Sequence, residues 1–150
     1  MKQAGEYFIK APREEVWKAL NDPDMLGSCI LGCEQVTRVD DTHFEIELKA
    51  KVGPVNARMQ VQVVLTDLKP PYSYTIQGGA KGGAAGFAKG SAAVQLIEED
   101  SGTRLSYLVN ANVGGKLAQV GSRLIDGAAR KIADDFFGKF TSKISSNCSR

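Results

Sequence analysis

Along "HFEIELKAKV" apolar and polar residues alternate without interruption. Phe44, Ile46, Leu48, Ala50 and Val52 fall on one side, and His43, Glu45, Glu47, Lys49 and Lys51 on the other. A period of two predicts a strand with one dry and one wet face. "GP" at Gly53–Pro54 is a turn signal. "VNARMQVQVVL" then resumes the alternation, with Val55, Ala57, Met59, Val61, Val63 and Leu65 inward, so the two segments predict an antiparallel hairpin. Upstream, "GEYFIKA" (Gly5–Ala11) predicts a short strand. "PREEVWKAL" and "NDPDML" predict two short helices, with Pro12 suited to a first turn, Asp22 to an N-cap and Pro23 to a first helical residue. Downstream, Tyr72, Tyr74 and Ile76 open another strand, "AKGSAAVQLIEED" reads as the next, and "TRLSYLVNANV" alternates once more through Leu105, Tyr107, Val109, Ala111 and Val113.

The period then changes. Leu117, Val120, Leu124, Ile125, Ala128, Ile132, Phe136, Phe140 and Ile144 recur at helical spacing, predicting one helix from Lys116 to Ile144. Helices at the ends of the chain and strands grouped between them define an α+β class. The dry strand faces need a cover, and the long helix carries the only large apolar stripe. The sheet is therefore expected to curl around it. A chain of 150 residues suggests one domain, set at residues 1–145, with 146–150 a polar tail.

Composition narrows the function. Hydrophobic residues make up 43% and charged residues 24%, and 19 basic against 17 acidic residues give a net charge of +2. That balance carries no electrostatic argument for nucleic acid. No stretch approaches the roughly 18 apolar residues of a membrane span, and "MKQAGEYFIK" has no signal-peptide core. With three cysteines and no disulfide pattern, a cytoplasmic setting is expected.

The run "GGAKGGAAGFAKG" (Gly78–Gly90) holds six glycines and four alanines. It is not a P-loop, because Lys89 stands between Ala88 and Gly90, and it contains no G-x-G for a dinucleotide fingerprint. It reads as strand and turn. Ala88, Gly90, Ala92, Val94 and Leu96 share a face, and Gly121 and Ala128 lie along the helical stripe. Small residues there admit two readings, close packing of helix on sheet or a ligand cavity, and the pattern alone leaves both open.

Few residues offer chemistry. His43 is the only histidine and sits on a wet strand face. Cys29 and Cys33 lack the paired spacing and the histidines of a zinc site, and Cys148 lies in the tail. Glu45 and Glu47 face solvent beside Lys49 and Lys51. No catalytic residue and no metal ligand is therefore assigned. Tyr107 alternates inward, where a phenol seeks a partner, either the protein itself or a ligand carbonyl.

Four segments together, "LNDPDMLGSCILGCE", "AKVGPVNARM", "GGAAGFAKGSAAVQL" and "GGKLAQVGSRLIDGAARKIADDFF", resemble the carbon monoxide dehydrogenase G-subunit family of the START-like helix-grip (SRPBCC) superfamily. The likeness runs from about Gly5 to Phe140. Leu31 departs from the proline common before Gly-Cys in that family. Some members also carry a long C-terminal extension thought to contact the membrane, whereas this sequence ends at Arg150. The resemblance implies a curved antiparallel sheet of about seven strands around a long C-terminal helix, with two short helices after the first strand. It also implies a cavity, and a non-catalytic accessory of the aerobic molybdenum hydroxylase-type CO dehydrogenase that recruits the enzyme to the inner face of the membrane. With no covalent cofactor, such a protein would hold a lipophilic small molecule such as a quinone. The expected lining is Phe44, Ile46, Met59, Val61, Phe87, Val94, Tyr107, Val109, Leu117, Gly121, Leu124 and Ala128. Two other classes stay open, a cyclase- or hydrolase-like enzyme using the same cavity and a structural adaptor without ligand.

Overall fold

The computed structural model describes residues 1–148. Seven strands form one antiparallel sheet: β1 (Lys2–Ile9), β2 (Cys33–Asp40), β3 (His43–Val52), β4 (Val55–Lys69), β5 (Ser73–Lys81), β6 (Phe87–Glu99) and β7 (Gly102–Gly114). Their spatial order is β1-β7-β6-β5-β4-β3-β2, so the first two strands in sequence occupy opposite edges. The chain crosses between them through two helices, α1 (Arg13–Leu20) and α2 (Pro23–Cys29), which close one end of the concave face.

The predicted faces are the observed ones. Along β3, Phe44, Ile46 and Val52 are buried while every residue of the wet face is exposed. The β3–β4 hairpin pairs Phe44 with Val63 and Ile46 with Val61, which stacks the dry face of one strand beside the dry face of the next. Asp22 caps α2, accepting a hydrogen bond from the Asp24 amide at 3.0 Å.

Two elements differ from the sequence reading. The alternation assigns no strand to "CEQVTRVD", yet it forms β2 at the sheet edge. Its only half-buried residues are Cys33 and Val36, and irregularities at Cys33/Gln35 and Arg38/Asp40 break the period of two. Bulges of this kind blunt an exposed edge. The predicted Lys116–Ile144 helix is likewise two helices, α3 (Lys116–Gln119) and α4 (Ser122–Cys148). Gly121 stands between them at φ +96, a backbone conformation open to glycine and closed to most other residues. α4 runs past Ile144 to Cys148, and the remainder of the proposed polar tail, Ser149 and Arg150, lies outside the described residues.

The densest packing lies at the closed end. Ile9, Val16, Cys29, Leu96, Leu105 and Phe140 there have relative exposures of 0–2%. Cys29 behaves as a buried small hydrophobe, and burial pushes the Cys33 thiol upward. No group of metal-ligating side chains occurs among the described residues.

A candidate ligand cavity on the concave face

Two hollows lie end to end on the concave face. The inner one, about 220 Å³, sits at the closed end. Phe44 and Ile46 of β3, Leu65 of β4, Val94 of β6 and Leu105 of β7 form its floor and walls. Phe136 and Phe137 of α4 cover it, with Leu20 of α1 and Leu26 of α2 at its end. The outer one, about 270 Å³, is lined by strand residues only. Gly78, Ala80, Ala88, Gly90, Ala92 and Ala111 make a shallow floor across β5, β6 and β7. Val63 and Ile76 line both hollows, so the two form one apolar trough running from the helical end toward the β3–β4 and β5–β6 turns.

Space is one reason for the small residues, and strand proximity is another. A Cβ on Gly90 would come 2.7 Å from the Ala111 Cα and collide with the Asn110 carbonyl oxygen. Gly90 thus lets β7 approach β6 while it lowers the floor.

The polar groups of the concave face gather beside β1. Gln3, 8% exposed, donates from Nε2 to the Tyr107 hydroxyl at 3.1 Å. Tyr107 stacks at 6.0 Å on Phe137, whose ring stacks at 4.4 Å on Tyr7. The Tyr7 hydroxyl donates to Asp134 of α4 at 2.6 Å. Burial, then the Asp134 and Tyr107 hydrogen bonds, raise the Tyr7 phenol above its ordinary range, so it stays a neutral donor. Burial alone does the same for Tyr74, which lines the inner hollow. The other ionisable lining residue is Lys89, an exposed position between inward-facing Ala88 and Gly90.

Five of the twelve residues expected to line a cavity do so: Phe44, Ile46 and Val94 in the inner hollow, Val61 and Val109 in the outer. Met59 is buried under Gly82, and Leu117 is buried in α3. Tyr107 is engaged by Gln3 beside the trough. Ala128 is half-buried on α4. Three positions require correction. Gly121 is the exposed helix break, not a spacer on a helical stripe. Leu124 is 47% exposed because α4 has only begun to approach the sheet there. Phe87, 51% exposed, opens β6 on the convex face, opposite to Ala88 and Gly90. The sequence reading omits the contributions of Leu20, Leu26 and Phe137. The sequence reading places two short helices there without assigning Leu20 or Leu26 to a lining, and Phe137 stands beside the helical stripe and not on it.

A curved antiparallel sheet gripping a C-terminal helix over apolar space defines the START-like helix-grip class. A conserved protein of Geobacillus kaustophilus shares the structure with TM-score 0.91 at 32% identity, over 97% of this chain and 96% of that one. A protein of Thermus thermophilus matches with TM-score 0.71 at 13% identity, over 98% and 99% of the two chains. The ZhuI aromatase/cyclase of Streptomyces sp. R1128 matches with TM-score 0.70 at 11% identity, over 97% and 93%. The two more distant likenesses are of fold alone. The chain belongs to the CoxG family, the G subunit of carbon monoxide dehydrogenase, whose model matches residues 5–145. No protein among the curated ones matches the sequence.

Proposed function

We propose that this protein carries an apolar small molecule, of the quinone type, for an aerobic molybdenum-containing CO dehydrogenase. It works at the inner face of the membrane and links the enzyme to the respiratory chain. The observation that carries this reading is the continuous trough, whose inner part has an almost wholly apolar lining beneath Phe136 and Phe137. Together the two hollows reach the size of small-molecule sites, which start at roughly 300 Å³. A flat ring fits the shallow Gly/Ala floor, and a chain of methylenes fits the inner hollow. Tyr74 in the inner hollow and Ser91 and Lys89 in the outer one are the residues with polar side chains in the lining, and the Gln3–Tyr107 pair stands beside it. The family membership supports an accessory role beside the enzyme.

The lining does not favour acid–base catalysis in the trough. General acids and bases need titratable groups poised near neutrality within reach of a substrate. Tyr74 is pushed the other way, and Lys89 lies at an exposed strand position.

Trp17 provides the test. It is the only tryptophan, and its ring meets the ring of Tyr74 edge-on at 5.1 Å, against the inner hollow. Titration with a short-chain quinone is expected to quench its emission saturably at one equivalent. Solvent extraction of protein purified from its own host is expected to yield a stoichiometric lipophilic compound. A protein that carries nothing and shows no saturable quenching would defeat the carrier reading and leave an adaptor.

A further inference from the structure

The convex face of the sheet carries a hollow of its own. Alternation turns Gln77, Gly79 and Lys81 of β5 and Phe87 and Lys89 of β6 to this side, away from the trough-lining Gly78, Ala80, Ala88 and Gly90. With Gln60 and Gln62 of β4 they border about 520 Å³, against about 220 and 270 Å³ for the two parts of the trough. That volume falls within the range of small-molecule sites. Gly78, Ala80 and Ala88 border both the trough and this hollow, so the two lie back to back on the same strands.

Gly79 creates the space. Neither usual reason for a glycine applies to it: its φ lies outside the left-handed region, and no atom comes within 4 Å of a Cβ built there. Glycine weakens a strand interior, and what it leaves here is open volume at the centre of a polar ring. Gln62 of β4 is its register partner on one side and Lys89 of β6 on the other, while Gln77 and Lys81 stand two residues away on its own strand.

The ring has unused binding capacity. Lys81 and Lys89 are exposed diagonal neighbours across β5 and β6, the separation at which two long side chains meet on one group. Neither is in an ion pair among the described residues. The acids nearest in the register, Glu45 and Glu47, stand one strand further out, opposite Gln62 and Gln60. Among the described residues the hydrogen bonds of glutamine side chains are those of Gln3 and Gln35, which leaves the amides of Gln60, Gln62 and Gln77 without a protein partner. Phe87 bounds the hollow beside the lysines. Its ring lies over its register partner Gly114, where a Cβ would collide with Cε1 and Cζ. The ring is therefore laid along the sheet and presents an apolar surface at the rim.

We propose that this convex hollow binds a small hydroxylated anion, of the sugar phosphate or sugar acid class. The oxyanion lies over Lys81 and Lys89, where two ammonium groups can share it. Hydroxyls both donate and accept, as do the amides of Gln60, Gln62 and Gln77 that face them. The C–H face of the ring rests against Phe87. This site stands apart from the apolar trough and does not depend on what the trough carries.

Calorimetric titration of the full chain at low salt tests the proposal, with glucose 6-phosphate, glucuronate, glucose and inorganic phosphate as probes. Saturable binding of one equivalent is expected for glucose 6-phosphate, glucuronate or both, and the responding probe identifies the oxyanion as phosphate or carboxylate. Glucose and inorganic phosphate should each bind at least tenfold more weakly than that probe, because each offers half of the contacts. Lys81→Gln and Lys89→Gln should each lower affinity about tenfold. Lys49→Gln and Lys51→Gln, on the same face of β3 outside the hollow, should leave it unchanged. Gly79→Val should lower affinity tenfold or more while holding or raising the melting midpoint, since it fills the hollow with a better strand residue. That combination separates loss of the site from loss of the fold. No saturable binding of either hydroxylated anion would overturn the proposal, as would inorganic phosphate binding equally well, or Gly79→Val binding like the parent. Retention on an immobilised acidic polypeptide with no binding of the small probes would also overturn it, making the lysine pair a protein-docking face.

Discussion

Gly5 and Tyr107 are register partners across β1 and β7, and the phenol ring lies over the glycine. A Cβ on Gly5 would fall 2.7–2.8 Å from three atoms of that side chain, Cε2, Cζ and the hydroxyl oxygen. The missing side chain at Gly5 therefore fixes where Tyr107 can lie, and with it the hydrogen bond from Gln3. Gly5→Ala is expected to displace the ring and lower stability by about 1–3 kcal/mol. Combined with Tyr107→Ala it should be markedly non-additive, since the second change removes what the first collides with. Urea unfolding of the two single variants and the double variant measures this.

Alkaline pH provides a second check. The Tyr7 and Tyr74 phenols are raised in the folded protein, by burial first and, for Tyr7, by Asp134 and Tyr107. Unfolded tyrosines lose their protons near pH 10. Above that pH the folded state retains protons that the unfolded state has released, so stability falls as pH rises. Stability from this source is fully present below about pH 10. Tyr7→Phe should be less stable at neutral pH, through loss of the Asp134 bond, yet decline less steeply above pH 10, as urea midpoints across the range would report.

Ala92 and Leu96 lie on the same face of β6 with opposite surroundings. Ala92 lines the outer hollow, whereas Leu96 is 2% exposed in the core. Ala92→Leu enters existing space, so its unfolding midpoint should stay close to that of the parent while quinone affinity falls about tenfold or more, equivalent to about 1.4 kcal/mol. Leu96→Ala should cost about 2–5 kcal/mol of stability. Thermal melts and quinone titrations of both variants separate the trough from the core.

Gly121→Ala places a side chain at φ +96, where one is strained whatever the space around it. A loss of about 1–3 kcal/mol is expected, although no atom lies within 4 Å of the added Cβ. Gly138→Ala, interior to α4 and equally uncrowded, should instead gain about 1 kcal/mol at most. The opposite signs of the two melting shifts are the readout.

Much of the fold was legible because most strands have one wet and one dry face. The alternation through His43–Val52 and Val55–Leu65 gave the hairpin and the inward residues directly. β2 was illegible because it is an edge strand with two bulges and little burial, so nothing forces its residues to alternate. The helix break at Gly121 was hidden because Leu117, Leu124 and Ile132 keep helical spacing across it, and spacing does not report a change of backbone sign. Phe87 was misplaced although its phase was legible: the period of two that puts Ala88 and Gly90 inward sets Phe87 on the opposite face. Within the trough, the strand-borne lining could be read from period two. The cover contributed by Phe137 and Leu26 depends on how helices settle on the sheet, which no local pattern specifies.

The sheet order has a consequence for biosynthesis. β1 pairs only with β7, Lys2 opposite Asn110, so the first strand to leave the ribosome waits for a partner more than a hundred residues away. Contacts of such separation form late and slowly. The strands β3 to β6 can pair as successive hairpins in the meantime, and α4, which brings Phe136 and Phe137, is translated last. The nascent chain therefore presents an uncovered apolar trough until its final helix emerges, and that interval is when it is most open to aggregation and to capture by a chaperone.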